Sequence, residues 1–159
     1  MNLPNEEIGK YIKPFFKNSD IKKYYSKNEN ELWLIYIKDE GVPIELSDAL
    51  LKHFERFKNL IVGLKSNFLK NKIASSIVKK WFKNGNYFVL FTPKKIEYFT
   101  GPKIVAPYRS KTNTFAYNDT SWFSSKDVAY ILPLDKSYSI KYILAILNSS
   151  LVYNWLYHR

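Results

Sequence analysis

The stretch Pro102–Ile131, PKIVAPYRSKTNTFAYNDTSWFSSKDVAYI, decides how this chain is read. A β-branched run over 103–106 leads into a polar, cationic segment, Tyr108-Arg109-Ser110-Lys111-Thr112-Asn113, and further strand candidates follow at 114–117 and 127–132. Valine, isoleucine and aromatic side chains at this density favour a pleated, half-buried surface. A small sheet of this kind presents a basic, hydrogen-bonding loop to a polyanion.

Working outward, Glu31–Lys38 (ELWLIYIK) is another strand candidate, apolar at nearly every position and so expected to be covered on both faces. Ser47 is a candidate N-cap with Asp48 in the first turn. Behind it Leu50, Leu51, Phe54, Phe57, Leu60, Ile61 and Leu64 recur at helical spacing. Ile73, Ile77 and Trp81 mark a second stripe, stopped by Asn84-Gly85-Asn86. Pro93 is expected to open a brief helix through Phe99, and Ser139 to cap a long apolar one. The fold class is therefore α+β: one domain spanning 1–159, a small mixed or antiparallel sheet packed by helices at about 47–64, 72–84 and 140–157. The last helix is apolar on almost every side and wants cover beyond one face. It fits a fragment of a longer protein, or a subunit that packs on a partner.

At 159 residues the chain is long enough to bury a core of its own. Its formal charge of +11 points to a polyanionic partner. Only Arg56, Arg109 and Arg159 are arginines, so the charge is mostly lysine, which suits phosphates better than bidentate base reading. A lysine-, asparagine- and isoleucine-rich composition also arises from AT-rich coding, so charge alone does not decide the matter. The chain has no cysteine, which excludes disulfides and thiolate metal sites and fits a cytoplasmic location. No secretory leader is visible, and the apolar segment 140–157 is interrupted by Asn148-Ser149-Ser150, so no membrane association is expected.

Catalytic chemistry is sparse. His53 and His158 stand without an acid–base or metal companion, and no glycine-rich phosphate loop exists. Asp20-Ile21-Lys22 matches half of a Mg²⁺ nuclease site, but no second carboxylate on an evident strand accompanies it. Binding is better supported. Segments 17–24 and 108–113 both mix cations with Asn, Ser, Thr and Tyr, and 65–86 holds six lysines and no acid. Lys13, Lys17, Lys22, Lys23, Arg109 and Lys111 are the candidates for phosphate docking, with Asn18, Tyr108 and Asn113 for positioning or base contact. The reading requires these loops to gather on one side of the sheet.

The ordered segments YIKPFFKNSDIKKYY (11–25), ELWLIYI (31–37), Trp81 with Ile96–Val105, PYRSKTNTFAYND, WFSSKDVAYI and YILAILNSSLVYNW resemble the TaqI-like C-terminal specificity domain. That family supplies the target recognition domain behind the catalytic domain of adenine-N6 DNA methyltransferases and fused restriction–modification enzymes. The resemblance covers about residues 8–157 and departs from the family at Lys17 and Asn18, where arginine is frequent. It implies sequence-specific binding of double-stranded DNA, no catalysis by this chain alone, and a catalytic methyltransferase domain of the same parent chain as partner. S-adenosylmethionine is then expected in that domain, since no Asn-Pro-Pro-aromatic motif occurs here. The other readings are a protein–protein interaction domain docking through its apolar C-terminal helix and, further off, a nuclease using Asp20 and Lys22.

Overall fold

The computed structural model describes residues 3–38, 42–57, 88–90, 93–133, 135 and 137–158. Within the chain it shows two compact units, residues 1–12 with 35–93 and residues 13–34 with 94–159. The second carries fourteen basic against seven acidic side chains, a net +7 of the total +11.

In the first unit, α1 (Asn5–Tyr11) begins with Glu6 and Glu7, whose charge complements the helix N-terminus. A second helix, α2, is described over 48–57. Ser47 Oγ accepts from Leu50 N at 3.4 Å, so the expected cap forms, and the Glu7 carboxylate accepts from both Ser47 N and Oγ. Tyr11, Ile37, Leu50, Phe54 and Val89 make the core, with Phe88 stacked on Phe54 at 5.1 Å. The continuation of α2 to 64, the helix expected at 72–84 and the lysines of 65–86 lie outside the described residues.

Two small mixed sheets lie mainly in the second unit. One has the order β3-β1-β6, from β1 (Ile12–Phe16), β3 (Leu32–Ile35) and β6 (Phe123–Ser124). The other has the order β2-β5-β4-β7, from β2 (Tyr24–Tyr25), β4 (Lys103–Pro107), β5 (Ala116–Asn118) and β7 (Val128–Ile131). β1 pairs in parallel with β6, β2 in parallel with β5, and β4 is antiparallel to both of its neighbours. Phe16, Ile21, Val105, Ala116, Trp122 and Val128 form the core. Trp122 is fully buried, stacks on Phe16 at 4.8 Å and donates its indole N–H to Lys27 O at 2.8 Å. The structure is thus α+β, as the sequence implies.

Three local expectations change. The strand over 31–38 is only Leu32–Ile35, an edge strand, and Trp33 is 65% exposed, so the strand is not covered on both faces. The helix expected from Pro93 is a single 3-10 turn, Ile96–Tyr98. The helix expected over 140–157 is two helices, α3 (Ile140–Leu147) and α4 (Ser150–Tyr157). The break has a clear cause. Asn148 is buried, and its amide is committed to the backbone of Phe115: Oδ1 accepts from Phe115 N at 3.1 Å and Nδ2 donates to Phe115 O at 2.8 Å. Ser149 then caps α4, its Oγ accepting from Val152 N.

Candidate nucleic-acid interface

Strand register explains how distant loops meet. β4 and β7 pair antiparallel with Pro107 opposite Val128, and Tyr108 N donates to Asp127 O at 2.7 Å. The same register sets Tyr108 and Arg109, just past β4, beside Asp127 and Lys126, just before β7. Parallel pairing of β1 with β6 sets Phe16 opposite Ser124, so Lys17 and Asn18 leave β1 beside the same 125–127 turn. The 125–127 turn therefore joins the two sheets, and the two polar segments picked out in the sequence converge on it.

The result is a cleft of about 670 Å³ lined by Asn18, Lys94, Tyr108, Arg109, Lys126 and Asp127. Tyr108 is 73% exposed and Arg109 is exposed beside it. Lys94 is pinned onto β7: its Nζ donates to Val128 O at 2.8 Å and lies 4.8 Å from the Tyr130 ring centre, and burial pulls its pKa below the usual lysine value. Burial likewise pushes the Tyr130 phenol up, so it stays neutral and bonds the Ser124 hydroxyl at 2.6 Å beneath the turn.

Both convergent segments are braced from below. Asn118, buried, donates to Ser26 Oγ and Asn28 Oδ1 at 3.1 and 3.0 Å, tying the 17–28 segment to the β4–β5 hairpin. Lys103 is also fully buried, its Nζ donating to Gly101 O, Asn118 Oδ1 and Thr120 O at 3.0, 3.0 and 2.6 Å. Those three acceptors match the three protons of an ammonium, while burial pushes its pKa down to about 8 against a smaller opposing pull from Asp119. On the other side, Asn113 donates to Leu147 O and Ser149 O at 2.9 and 2.8 Å, and Tyr157 OH donates to Lys111 O at 2.6 Å. The 108–115 loop is thus fastened at the α3–α4 break and at the end of α4.

The sequence-derived candidates fall into different places. Asn18, Tyr108 and Arg109 come together in the cleft. Lys17 lines a separate 200 Å³ hollow with Asp20, Lys27, Glu29 and Glu31, where acids outnumber cations. Asp20 Oδ2 accepts from Lys17 N at 2.7 Å, an ordinary turn cap. Lys22 and Lys23 are exposed next to β2, Lys111 is exposed in the braced loop, and Lys13 is half-buried on β1. Asn113 is a correction: it is 7% exposed and its amide protons are spent on helix carbonyls, so it holds the loop instead of facing a ligand. Sequence reading missed Lys94, Lys126 and Asp127. The Ser-Ser-Lys-Asp run carries turn-forming residues, but its register with 17–18 and 108–109 is not encoded locally. Among the described residues no group of three His, Asp or Glu side chains could hold a metal ion.

The model of the TaqI-like C-terminal specificity domain matches residues 13–159. The chain belongs to this family. The match begins where β1 enters the second unit and takes in every element that lines or braces the cleft. TaqI-like specificity domains serve DNA recognition in restriction–modification enzymes, and that is the functional class of this chain. No curated protein matches it. Among the described residues no helix is long and apolar enough to cross a membrane.

Proposed function

We propose that this TaqI-like specificity domain binds double-stranded DNA sequence-specifically as the target recognition domain of a type II restriction–modification adenine-N6 DNA methyltransferase. The observation that carries the reading is the convergence of Asn18, Tyr108, Arg109, Lys94 and Lys126 on one cleft at the junction of two sheets. Exposed Lys22, Lys23 and Lys111 extend the cationic surface available to phosphates. Fastened loops suit this work, since ordering them on DNA costs little further entropy.

In this reading the methyl donor, S-adenosylmethionine, and the catalytic groups belong to a separate methyltransferase domain of the parent chain, and a cytoplasmic location follows from its substrate. This chain holds the duplex so that an adenine can be presented, flipped from the stack, to that domain. The apolar side of α3 and α4, with Tyr142, Leu151 and Trp155 exposed at 61%, 76% and 55%, is available for protein contact and favours docking by that domain.

The test is a titration of fluorescent duplex DNA at graded salt. Neutralising about five to seven phosphates gives log K against log salt a slope of roughly −4 to −6. A slope near −1 refutes electrostatic docking.

A further inference from the structure

The cleft contains a carboxylate, and phosphate docking does not explain it. Asp127 lies among Asn18, Arg109 and Lys126 but has no ion pair among the described residues. Its only side-chain hydrogen bond there is a long one, 3.4 Å, from Ser125 Oγ to Oδ2, which leaves Oδ1 unspent. The side chains of Asn18 and Arg109 are likewise without hydrogen bonds among the described residues. Three unspent polar groups, a donor fork, an amide and an acceptor, thus share one cleft whose backbone is held rigidly.

A site built for phosphate would gain nothing from an acid beside its arginine, because the carboxylate repels the same charge that the cations attract. Base edges differ. In the major groove guanine offers two acceptors to arginine, adenine offers a donor and an acceptor to an amide, and the amino groups of cytosine and adenine donate to a carboxylate. The cleft's mixture of donors and acceptor matches that pattern. The backbone of Asp127 is fixed by the Tyr108 N–H donated to its carbonyl, and its own N–H donates to Ser125 Oγ at 3.3 Å, so the side chain's base is positioned without help from a ligand.

We propose that Asp127 determines sequence specificity by accepting a hydrogen bond from the exocyclic amino group of a cytosine or adenine. The inference rests on the DNA-binding reading above and deepens it: the cleft is where bases are read, and phosphate contacts lie around it. The experiment selects duplexes from a randomised pool with the wild-type chain, Asp127→Asn and Asp127→Ala, then measures each protein on single-position variants of the enriched site. Wild type discriminates cytosine or adenine from guanine or thymine at one position of one strand by roughly tenfold or more, the size of one base contact. Asp127→Ala loses that discrimination at that position, keeps it elsewhere, and keeps the wild-type salt slope, whereas Asp127→Asn, whose amide both accepts and donates, shifts the preference at that position towards adenine. Whether the retained base is cytosine or adenine identifies the amino group.

An Asp127→Ala protein that folds like wild type and keeps its full base preference overturns the role of Asp127 while leaving DNA binding intact. So does uniform tightening on every duplex, which marks the carboxylate as simple repulsion. A wild-type chain that binds no duplex at all instead refutes the DNA-binding reading itself, and this inference with it.

Discussion

Replacing Asn148 by alanine tests whether the helix break is the brace of the 108–115 loop. Asn148 is 1% exposed and supplies two hydrogen bonds to Phe115. The two losses are unequal. Phe115 O still accepts from Tyr24 N at 2.8 Å in the variant, so its share is an ordinary net hydrogen bond, about 1 kcal/mol. Among the described residues Phe115 N has no second acceptor, and a part-buried orphaned N–H costs about 1–3 kcal/mol. The sum is roughly 2–4 kcal/mol, or a Tm lower by about 5–12 °C for a chain of this size. Asn113→Ala releases Leu147 O and Ser149 O; Ser149 O still accepts from Tyr153 N, so its share is about 1 kcal/mol, and the part-buried Leu147 O adds about 1–3 kcal/mol. Asn148→Asp keeps the acceptor, loses the donor and buries a charge, so its penalty grows as the pH rises through the carboxylate's raised folded-state pKa and shrinks in acid. Urea unfolding at two pH values reads all three. An Asn148→Ala protein within about 0.5 kcal/mol of wild type refutes the brace.

Two further predictions concern charge. Reversing Arg109 and Lys111 together (R109E, K111E) places acids at the mouth of the cleft and in the adjoining loop, and should lower duplex affinity by about two orders of magnitude in a binding titration; an unchanged Kd would favour the protein-docking alternative. Lys103 has its folded pKa lowered from 10.5 to about 8, so between those values the unfolded chain binds more protons than the folded one, and stability should rise with pH across that window. Relative to Lys103→Met the gain is at most about 3 kcal/mol, and parallel stability–pH curves for the two proteins would refute it.

Much of the local structure was legible. Ser47 caps its helix, the three strands expected in 102–131 appear within two residues of their expected bounds, although β6 there was not expected, and the 108–113 segment is a loop, whereas 17–24 contains a 3-10 turn at 18–20 and ends in β2. What was not legible depends on partners far away in the chain. Asn148-Ser149-Ser150 carries a visible stop-and-restart signal, yet apolar periodicity on both sides argues for one helix until Phe115 is seen to bond Asn148. Nothing local marks Lys103 as buried, and only the carbonyls of Gly101 and Thr120 with the Asn118 amide oxygen make its burial tolerable. Asn113 reads as a loop amide open to a ligand for the same reason. The cleft itself depends on Phe16 meeting Ser124 across more than a hundred residues, a register that no local pattern encodes.

The fastening of the 108–115 loop separates two jobs along a few residues of chain. The Asn113 side chain and the Phe115 backbone anchor it, whereas Tyr108, Arg109, Ser110 and Lys111 carry exposed side chains at its tip. Mutation can thus rewrite the tip while the anchors stay put, and a domain built this way can acquire a new target without having to refold around it.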